Sequence, residues 1–285
     1  MDKRPIGVFD SGLGGLTAVR ELRKVLPEED IIYFGDTGRV PYGSRSREII
    51  LQYARQDIAF LLSKNVKYIM AACGTVSSIL PADFSDRLPV PYTGVLEAAA
   101  RAAAAATSNR RIGVIGTAAT IRSGSYYRLL KQLLPDAEIF TRACPMFVPL
   151  VENGYLGREN PITTAIAEEY LADIRAAGVD VLILGCTHYP LIADIIGKVM
   201  GPGVTLIDPG RETADATRSA LAARGLLGGQ GGQARFFVSD STEGFVAVAD
   251  TFLGQYAGGP VERIDIDRYQ LRLDQTGEGG RSIEL

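Results

Sequence analysis

Short Ile- and Val-rich runs alternate with longer segments of helical period along this chain, and the alternation passes through the sequence twice. Strands that alternate with helices align side by side in parallel, so the pattern specifies an α/β fold. In the first pass IGVFD (6–10), DIIYFGD (30–36), YIMAAC (68–73) and PVPYTGV (89–95) read as strands. TAVRELRKVL (17–26) and residues 46–65 read as amphipathic helices between them. An Ala-rich helix, EAAARAAAAATSN (97–109), closes this pass, and RIGVIG (111–116) opens the second, which runs through EIFTRACP and VDVLILGC to VTLIDPG. Gly7 to Cys73 spans 66 residues and Gly113 to Cys186 spans 73, so the passes read as two versions of one plan. Residues 212–227 read as a helix with a basic end, GGQGGQ (228–233) as a flexible joint, and RFFVSD (235–240) as a strand returning to the first unit. The expected organisation is a first α/β domain of residues 1–97 plus 208–267, a second of residues 98–207, and a polar tail of residues 268–285. The last stretch, DQTGEGGRSIEL, is expected to be poorly ordered.

Composition narrows the function classes. With 285 residues, 46% of them hydrophobic, the chain can bury a sizeable core in two units. No apolar stretch reaches the roughly 18 residues of a membrane span, and MDKRPIGVFD enters a strand directly, without a secretory leader. A membrane partner is therefore not expected, and the cytoplasm is the expected location. Thirty basic against thirty-three acidic residues, scattered along the chain, give no basic patch for nucleic acid. Three cysteines without a CxxC, and a single histidine, argue against both a disulfide framework and a zinc site, so no metal is expected.

The two passes share a chemical landmark. YIMAACGTVSS (68–78) and VLILGCTHYPL (181–191) are each an apolar run that ends in a cysteine followed closely by threonine. In parallel α/β sheets ligands gather beyond the carboxyl ends of strands, and both cysteines occupy such ends. So do Asp10 and Ser11 in FDSGLGG, Asp36 and Thr37 in FGDTGRVPYG, and Thr117 and Thr120 in IGTAAT. Helix N-termini in these loops offer free N–H groups to a small carboxylate or phosphate, and they favour the thiolate, the reactive form of cysteine. Two mirrored thiols about one small anion suit removal of a proton from one face of a carbon and its return to the other. That is racemisation or epimerisation, which needs no hydride carrier, so no cofactor is expected.

FDSGLGG, GDTGRVPYG, the Cys73 loop, GTAATIRSGSY, ACPMFVPLVENG and ILGCTHYPL, in that order over residues 6 to about 255, resemble the cofactor-independent aspartate/glutamate racemase family, and within it the glutamate racemases. The resemblance implies two doubly wound α/β domains with parallel sheets related by pseudo-twofold symmetry, the site lying in the interdomain cleft. It implies Cys73 as the acid/base residue toward D-glutamate and Cys186 toward L-glutamate, with Asp10 assisting Cys73, and Glu152 and His188 assisting Cys186. Ser11, Pro41, Tyr42, Gly43, Gly74, Thr75, Thr117, Thr120 and Thr187 match positions that hold the substrate. It further implies glutamate as the small-molecule partner, a homodimer, and supply of D-glutamate for peptidoglycan.

One position departs from the family pattern: Gly74 stands where an asparagine usually follows the first cysteine. Its absence removes a side-chain donor and acceptor, worth about 0.5–1.5 kcal/mol per hydrogen bond. The alternatives this raises are a racemase for aspartate or another acidic amino acid, and a binding protein for an acidic metabolite that has lost turnover. Some residues also have plainer readings. Cys144, with no partner motif, reads as a buried small hydrophobe. Asp10 and Ser11 could cap a helix beginning near Leu13. GLGG (12–15) lacks the Lys-Ser/Thr of a phosphate loop and reads as a tight turn allowing close approach of substrate.

Overall fold

The computed structural model describes residues 2–271 apart from 82, 230 and 257; the expected disorder of residues 274–285 concerns a stretch outside the described residues. The first pass forms β1 (Ile6–Asp10), β2 (Ile31–Gly35), β3 (Tyr68–Ala71) and β4 (Tyr92–Gly94). Helices α1 (Leu16–Val25), α2 (Arg47–Ser63), α3 (Gly74–Ile79) and α4 (Val95–Ala106) follow these strands in turn. The second pass forms β5 (Arg111–Gly116), β6 (Glu138–Ala143), β7 (Val181–Gly185) and β8 (Thr205–Ile207). After β5 come α5 (Ala118–Ser123) and α6 (Ser125–Leu133); after β6, α7 (Phe147–Glu152) and α8 (Pro161–Ala176). Helix α9 (Ala193–Met200) follows β7 and α10 (Pro209–Ala223) follows β8. The chain then returns through β9 (Ala234–Val238), α11 (Thr242–Leu253) and β10 (Val261–Arg263).

All strand pairs are parallel. The first sheet has the order β10-β9-β2-β1-β3-β4 and the second β6-β5-β7-β8. Without the two late strands the first sheet repeats the order of the second, so β3 and β7, the strands that precede the cysteines, are equivalent. The repeat read in the sequence is thus a repeat in topology.

Both faces of each sheet are covered, which is why the strands read as continuous apolar runs. On β1, Ile6 and Val8 join Leu16, Val19 and Leu22 of α1, while Phe9 on the opposite face joins Ile50, Ile58 and Leu61 of α2. In the second sheet Ile112 and Val114 pack with Ala99 and Leu130, and Leu182 and Leu184 with Leu171 and Ile195. Each fully buried side chain of this kind contributes about 1.5–3 kcal/mol. Helix α10 packs on both α1 and α4 and so joins the two units. Among the described residues no helix is long and apolar enough to cross a membrane.

Two sequence expectations need revision. The described residues of the 228–233 stretch, which leave out 230, are docked rather than loose: the Gly228 N–H donates to Glu29 Oε1 at 2.8 Å and that of Gln233 to Asp30 Oδ1 at 2.9 Å. The Gly231 and Gly232 N–H groups both donate to the Glu28 carbonyl. Glycine permits this docking, because a Cβ on Gly229 would lie 1.4 Å from the Glu28 oxygen. Helix α11 and strand β10 were absent from the sequence reading; β10 is only three residues long, too short to show a period.

Lys67 anchors the base of the first sheet. It is fully buried, with Nζ 2.5 Å from Glu29 Oε2 and 2.7 Å from the Asp2 carbonyl. Breaking a buried pair by removing one partner strands the other charge, whereas removing both does not. Lys67→Met is expected to lower unfolding stability by about 3–5 kcal/mol, and Lys67→Met with Glu29→Gln by much less, in urea titrations followed by circular dichroism. A single variant within about 1 kcal/mol of the parent would show that the pair is not what holds this corner.

Candidate active site

On the first-domain side, β1 ends at Asp10 and β3 leads into Cys73, which sits at the N-terminal edge of α3. The Cys73 thiol donates to Ser11 Oγ at 3.5 Å and the residue is 4% exposed. Asp10 Oδ2 accepts the Gly12 N–H at 3.1 Å, while Oδ1 is buried with no hydrogen-bond partner. Neither Asp10 nor Ser11 caps α1, which begins at Leu16 behind Gly15 without a side-chain cap. Their polar atoms therefore belong to the loop, beside the thiol.

The electrostatics here reverse one expectation. Burial, and then the nearby Asp10 charge, push the Cys73 thiol up to about 12, against the hydrogen bond to Ser11 and the Val76 N–H at the helix start. The helix N-terminus does favour the thiolate, but burial outweighs it, so at neutral pH Cys73 rests as the thiol. Burial likewise raises Asp10, opposed by the charge of His188 and by the N–H groups of Gly15, Gly12 and Ser11.

On the second-domain side, β7 ends at Gly185 and Cys186 follows at once, 8% exposed. Its Sγ lies 3.8 Å from His188 Nδ1, and His188 Nε2 lies 3.0 Å from Glu152 Oε1 at the end of α7. Burial pulls the imidazole down, but its hydrogen bonds to Cys186 and Glu152, with their charges, outweigh that and carry it up to about 10. The ring is thus an imidazolium at neutral pH, and both its nitrogens donate: one toward sulfur, one toward carboxylate. The Phe252 ring of α11 stands edge-on to it, centroids 5.5 Å apart.

The two sides meet through backbone. A Cβ placed on Gly74 would lie 2.5 Å from the Gly185 carbonyl oxygen and 3.9 Å from Cys186 Cα. The residue after one cysteine therefore abuts the residue before the other, and the thiol-bearing loops face each other across the domains. The asparagine expected by resemblance has no room here unless the loops separate. Beside this contact three hydroxyls converge: Thr75 Oγ1 is 3.0 Å from Thr117 Oγ1 and 3.5 Å from Thr120 Oγ1, with 3.0 Å between the latter two. A Cβ on Gly14 would lie 2.1 Å from Thr187 Oγ1 and 2.5 Å from His188 Nδ1, so GLGG is a tight turn that admits the other domain's loop. Gly43 approaches Thr117 less tightly, a Cβ there lying 3.0 Å from Thr117 Cβ, and Pro41, two residues earlier, is exposed.

Not every expected residue offers its side chain. The Tyr42 hydroxyl donates to Asp36 and, at 3.2 Å, to Asp57 Oδ2, in a buried cluster with Arg39, so residues 41–43 have mainly backbone to offer a ligand. Asp36 also accepts from Ser239 Oγ at 2.7 Å, and Thr37 Oγ1 accepts the Asp240 N–H at 3.1 Å. These two residues fasten their loop to the end of β9. Cys144 is fully buried beneath Phe147 and Tyr189. Sequence reasoning missed Thr17, whose hydroxyl donates to the Thr187 carbonyl at 2.9 Å, and Phe252; neither lies in a strand-end loop, the signal that found the rest. Among the described residues no group of three or more His, Cys, Asp or Glu could hold a metal ion.

Comparison with known proteins follows the same lines. The family model for Asp/Glu/Hydantoin racemase matches residues 17–217. The glutamate racemase of Geobacter metallireducens is 43% identical over 280 residues, covering 98% of this chain and 100% of its own. That of Neisseria meningitidis serogroup A is 43% identical over 256 residues, covering 89% and 94%. The crystal structure of glutamate racemase from Francisella tularensis in complex with D-glutamate aligns with a TM-score of 0.87 at 38% identity, over 94% of this chain and 100% of that one. The Thermus thermophilus glutamate racemase in complex with beta-chloro-D-alanine gives 0.83 at 42% identity, over 94% and 99%. Two thiol loops meeting between repeated α/β domains, in a chain matched over most of its length, place it plainly: it belongs to the Asp/Glu/Hydantoin racemase family.

Proposed function

We propose that this chain interconverts L- and D-glutamate by moving protons between the substrate's α-carbon and two thiols, without a cofactor. The observation that carries the reading is the contact of Gly74 on the Gly185 carbonyl, which sets the Cys73 and Cys186 loops face to face. Each thiol has its own polar partners: Ser11 and the nearby Asp10 for Cys73, and the His188–Glu152 relay for Cys186. In the L-to-D direction the Cys186 sulfur takes the α-proton as His188 hydrogen-bonds to it, and the Cys73 thiol delivers its proton to the opposite face. The reverse direction exchanges the roles, and Asp10 then relieves Cys73 of its proton. Carboxylates of the substrate fall to the hydroxyls of Ser11, Thr75, Thr117, Thr120 and Thr187 and to backbone N–H groups of residues 42–43 and 74. The D-glutamate formed serves peptidoglycan synthesis. Since both cysteines are nearly closed off from solvent, admission of glutamate requires the two domains to part and close again.

Two thiols make a prediction that one cannot. When L-glutamate is supplied in D₂O, the first D-glutamate formed is expected to carry deuterium at Cα while unreacted L-glutamate keeps its protium, as read by proton NMR with chiral analysis. Transfer of the substrate's own protium into product would mean a single base serving both faces. Aspartate run in parallel should react far more slowly. Cys73→Ala and Cys186→Ala are each expected to lower kcat/KM by roughly 10²–10⁴-fold. The loss must be equal in both directions, because enantiomers have the same free energy.

The pH behaviour follows from His188. Its folded-state pKa of about 10 lies above the ordinary 6.5, so protonation contributes stability that is complete below about pH 6.5 and is lost as pH rises through about 10. His188 is the only histidine, so its ring signals can be followed by NMR without further assignment. The titration midpoint is expected near pH 10 and, in Glu152→Gln, at lower pH, with the alkaline limb of activity moving down alongside. A wild-type midpoint near 6.5 would remove His188 as a standing cation beside Cys186.

A further inference from the structure

Cys186, Thr187 and His188 belong to the second domain, yet part of what holds them comes from the first. After β7 the chain turns at once: the Tyr189 N–H donates to the Cys186 carbonyl at 3.1 Å, and the Leu191 N–H to the His188 carbonyl at 3.1 Å. Between those two carbonyls lies that of Thr187. The residue three places on, whose N–H would close the corresponding turn, is Pro190, which has no N–H to give. A donor arrives instead from the other domain. Thr17, the second residue of α1 and 1% exposed, donates its hydroxyl to the Thr187 carbonyl at 2.9 Å, across 170 positions of sequence. Helix α11 packs on α1, and its buried Phe252 ring stands against the His188 ring. Arg20, one turn along α1 from Thr17, donates to the Phe252 carbonyl at 3.4 Å. The same helix therefore carries the hydroxyl and fastens the ring.

We propose that Thr17, together with Phe252, is a positioning residue for proton transfer at Cys186: the first domain, on closing, sets the Thr187 backbone and the His188 ring, and with them the alignment of His188 on the thiol. This assignment rests on the racemase reading proposed above and names the residue that couples closure to one of its two thiols. A hydroxyl has a single proton to donate, and Thr17 Oγ1 also lies 2.8 Å from the Gly14 carbonyl in its own turn. When the domains part, that proton goes wholly to Gly14, so no buried donor is stranded. The Thr187 carbonyl is the group that changes partner, from water in the open form to Thr17 in the closed one. The Cys73 thiol takes its hydroxyl partner, Ser11, from its own domain. Loss of Thr17 therefore falls on the Cys186 side.

The test is the rate of racemisation together with the primary deuterium isotope effect on kcat/KM, measured separately from L-glutamate and D-glutamate deuterated at Cα. Cys186 removes the deuteron in the first case and Cys73 in the second. Thr17→Val keeps the branched shape and removes the donor; it is expected to lower kcat/KM by about 10-fold or more in both directions, since slight misplacement of a reacting group costs on that order. The isotope effect is expected to rise from L-glutamate and to fall from D-glutamate, because the step at Cys186 becomes the slower of the two. Thr17→Ser, which retains the hydroxyl, is expected to stay within about 3-fold of the parent and to keep its isotope effects. Where Thr17→Val folds poorly by circular dichroism, Phe252→Leu takes its place, with the same rise on the L side expected. Unchanged isotope effects in the folded variant, equal impairment by Thr17→Val and Thr17→Ser, or a rise from D-glutamate would each overturn the proposal. A parent protein that does not racemise glutamate would sink the reading beneath it, whereas a racemising parent with an unaffected Thr17→Val would sink this inference alone.

Discussion

The contact on which the site depends is one of backbone with backbone: the start of α3 at Gly74 lies against the last carbonyl of β7 at Gly185. No side chain intervenes, so the two strand ends of a repeated fold come as near as main chains can. That nearness fixes what the adjoining cysteines are able to do. It also expels water, leaving Asp10, Cys73, Thr75, Thr120 and His188 almost wholly buried. Everything electrostatic about the site follows from that dryness, because the charged form of each group must find its support from neighbours rather than solvent.

The neighbours differ on the two sides. Around Cys73 the surroundings are a hydroxyl, a second acid and a short helix start, which together do not offset burial, and the thiol keeps its proton. Around Cys186 an imidazolium is held in place by Glu152, itself partly exposed. A fold with matching topology in its two halves therefore surrounds its two cysteines differently: one is a buried thiol that keeps its proton, and the other has an imidazolium beside it. Unlike halves do not contradict a reaction between mirror images. A charged amino-acid substrate supplies its own charges on binding, and these add to the neighbours that set the charge of each buried group.

How much of this was legible in the chain follows from which interactions are local. The parallel α/β class, the repeat, and the positions of both cysteines came from period and spacing, since strand ends next to helix starts are written within a few residues of one another. Asp36 was read as belonging to the site because it, too, ends a strand; its actual partners, Arg39, Tyr42 and Ser239, include one some two hundred residues away. Thr17 and Phe252 were invisible for the same reason: one lies inside a helix and the other on α11, and only tertiary packing brings them to the CTH loop. The rise of the Cys73 thiol was likewise not deducible, because a helix N-terminus can be seen in sequence whereas the extent of burial cannot.

Gly74 shows how the two kinds of information combine. In sequence it registers only as a missing side chain, and the natural inference is a lost hydrogen bond to substrate. In the folded chain the same position is where the domains touch, and any Cβ there would have to displace main chain rather than a pliable side chain. The glycine therefore buys closeness at the expense of an amide, and the closed state is tighter at this point than a larger residue would allow. The consequence falls on the closure put forward above: if the domains part to admit substrate, a closer contact at Gly74 costs more binding energy to open but leaves less water around the α-carbon once closed.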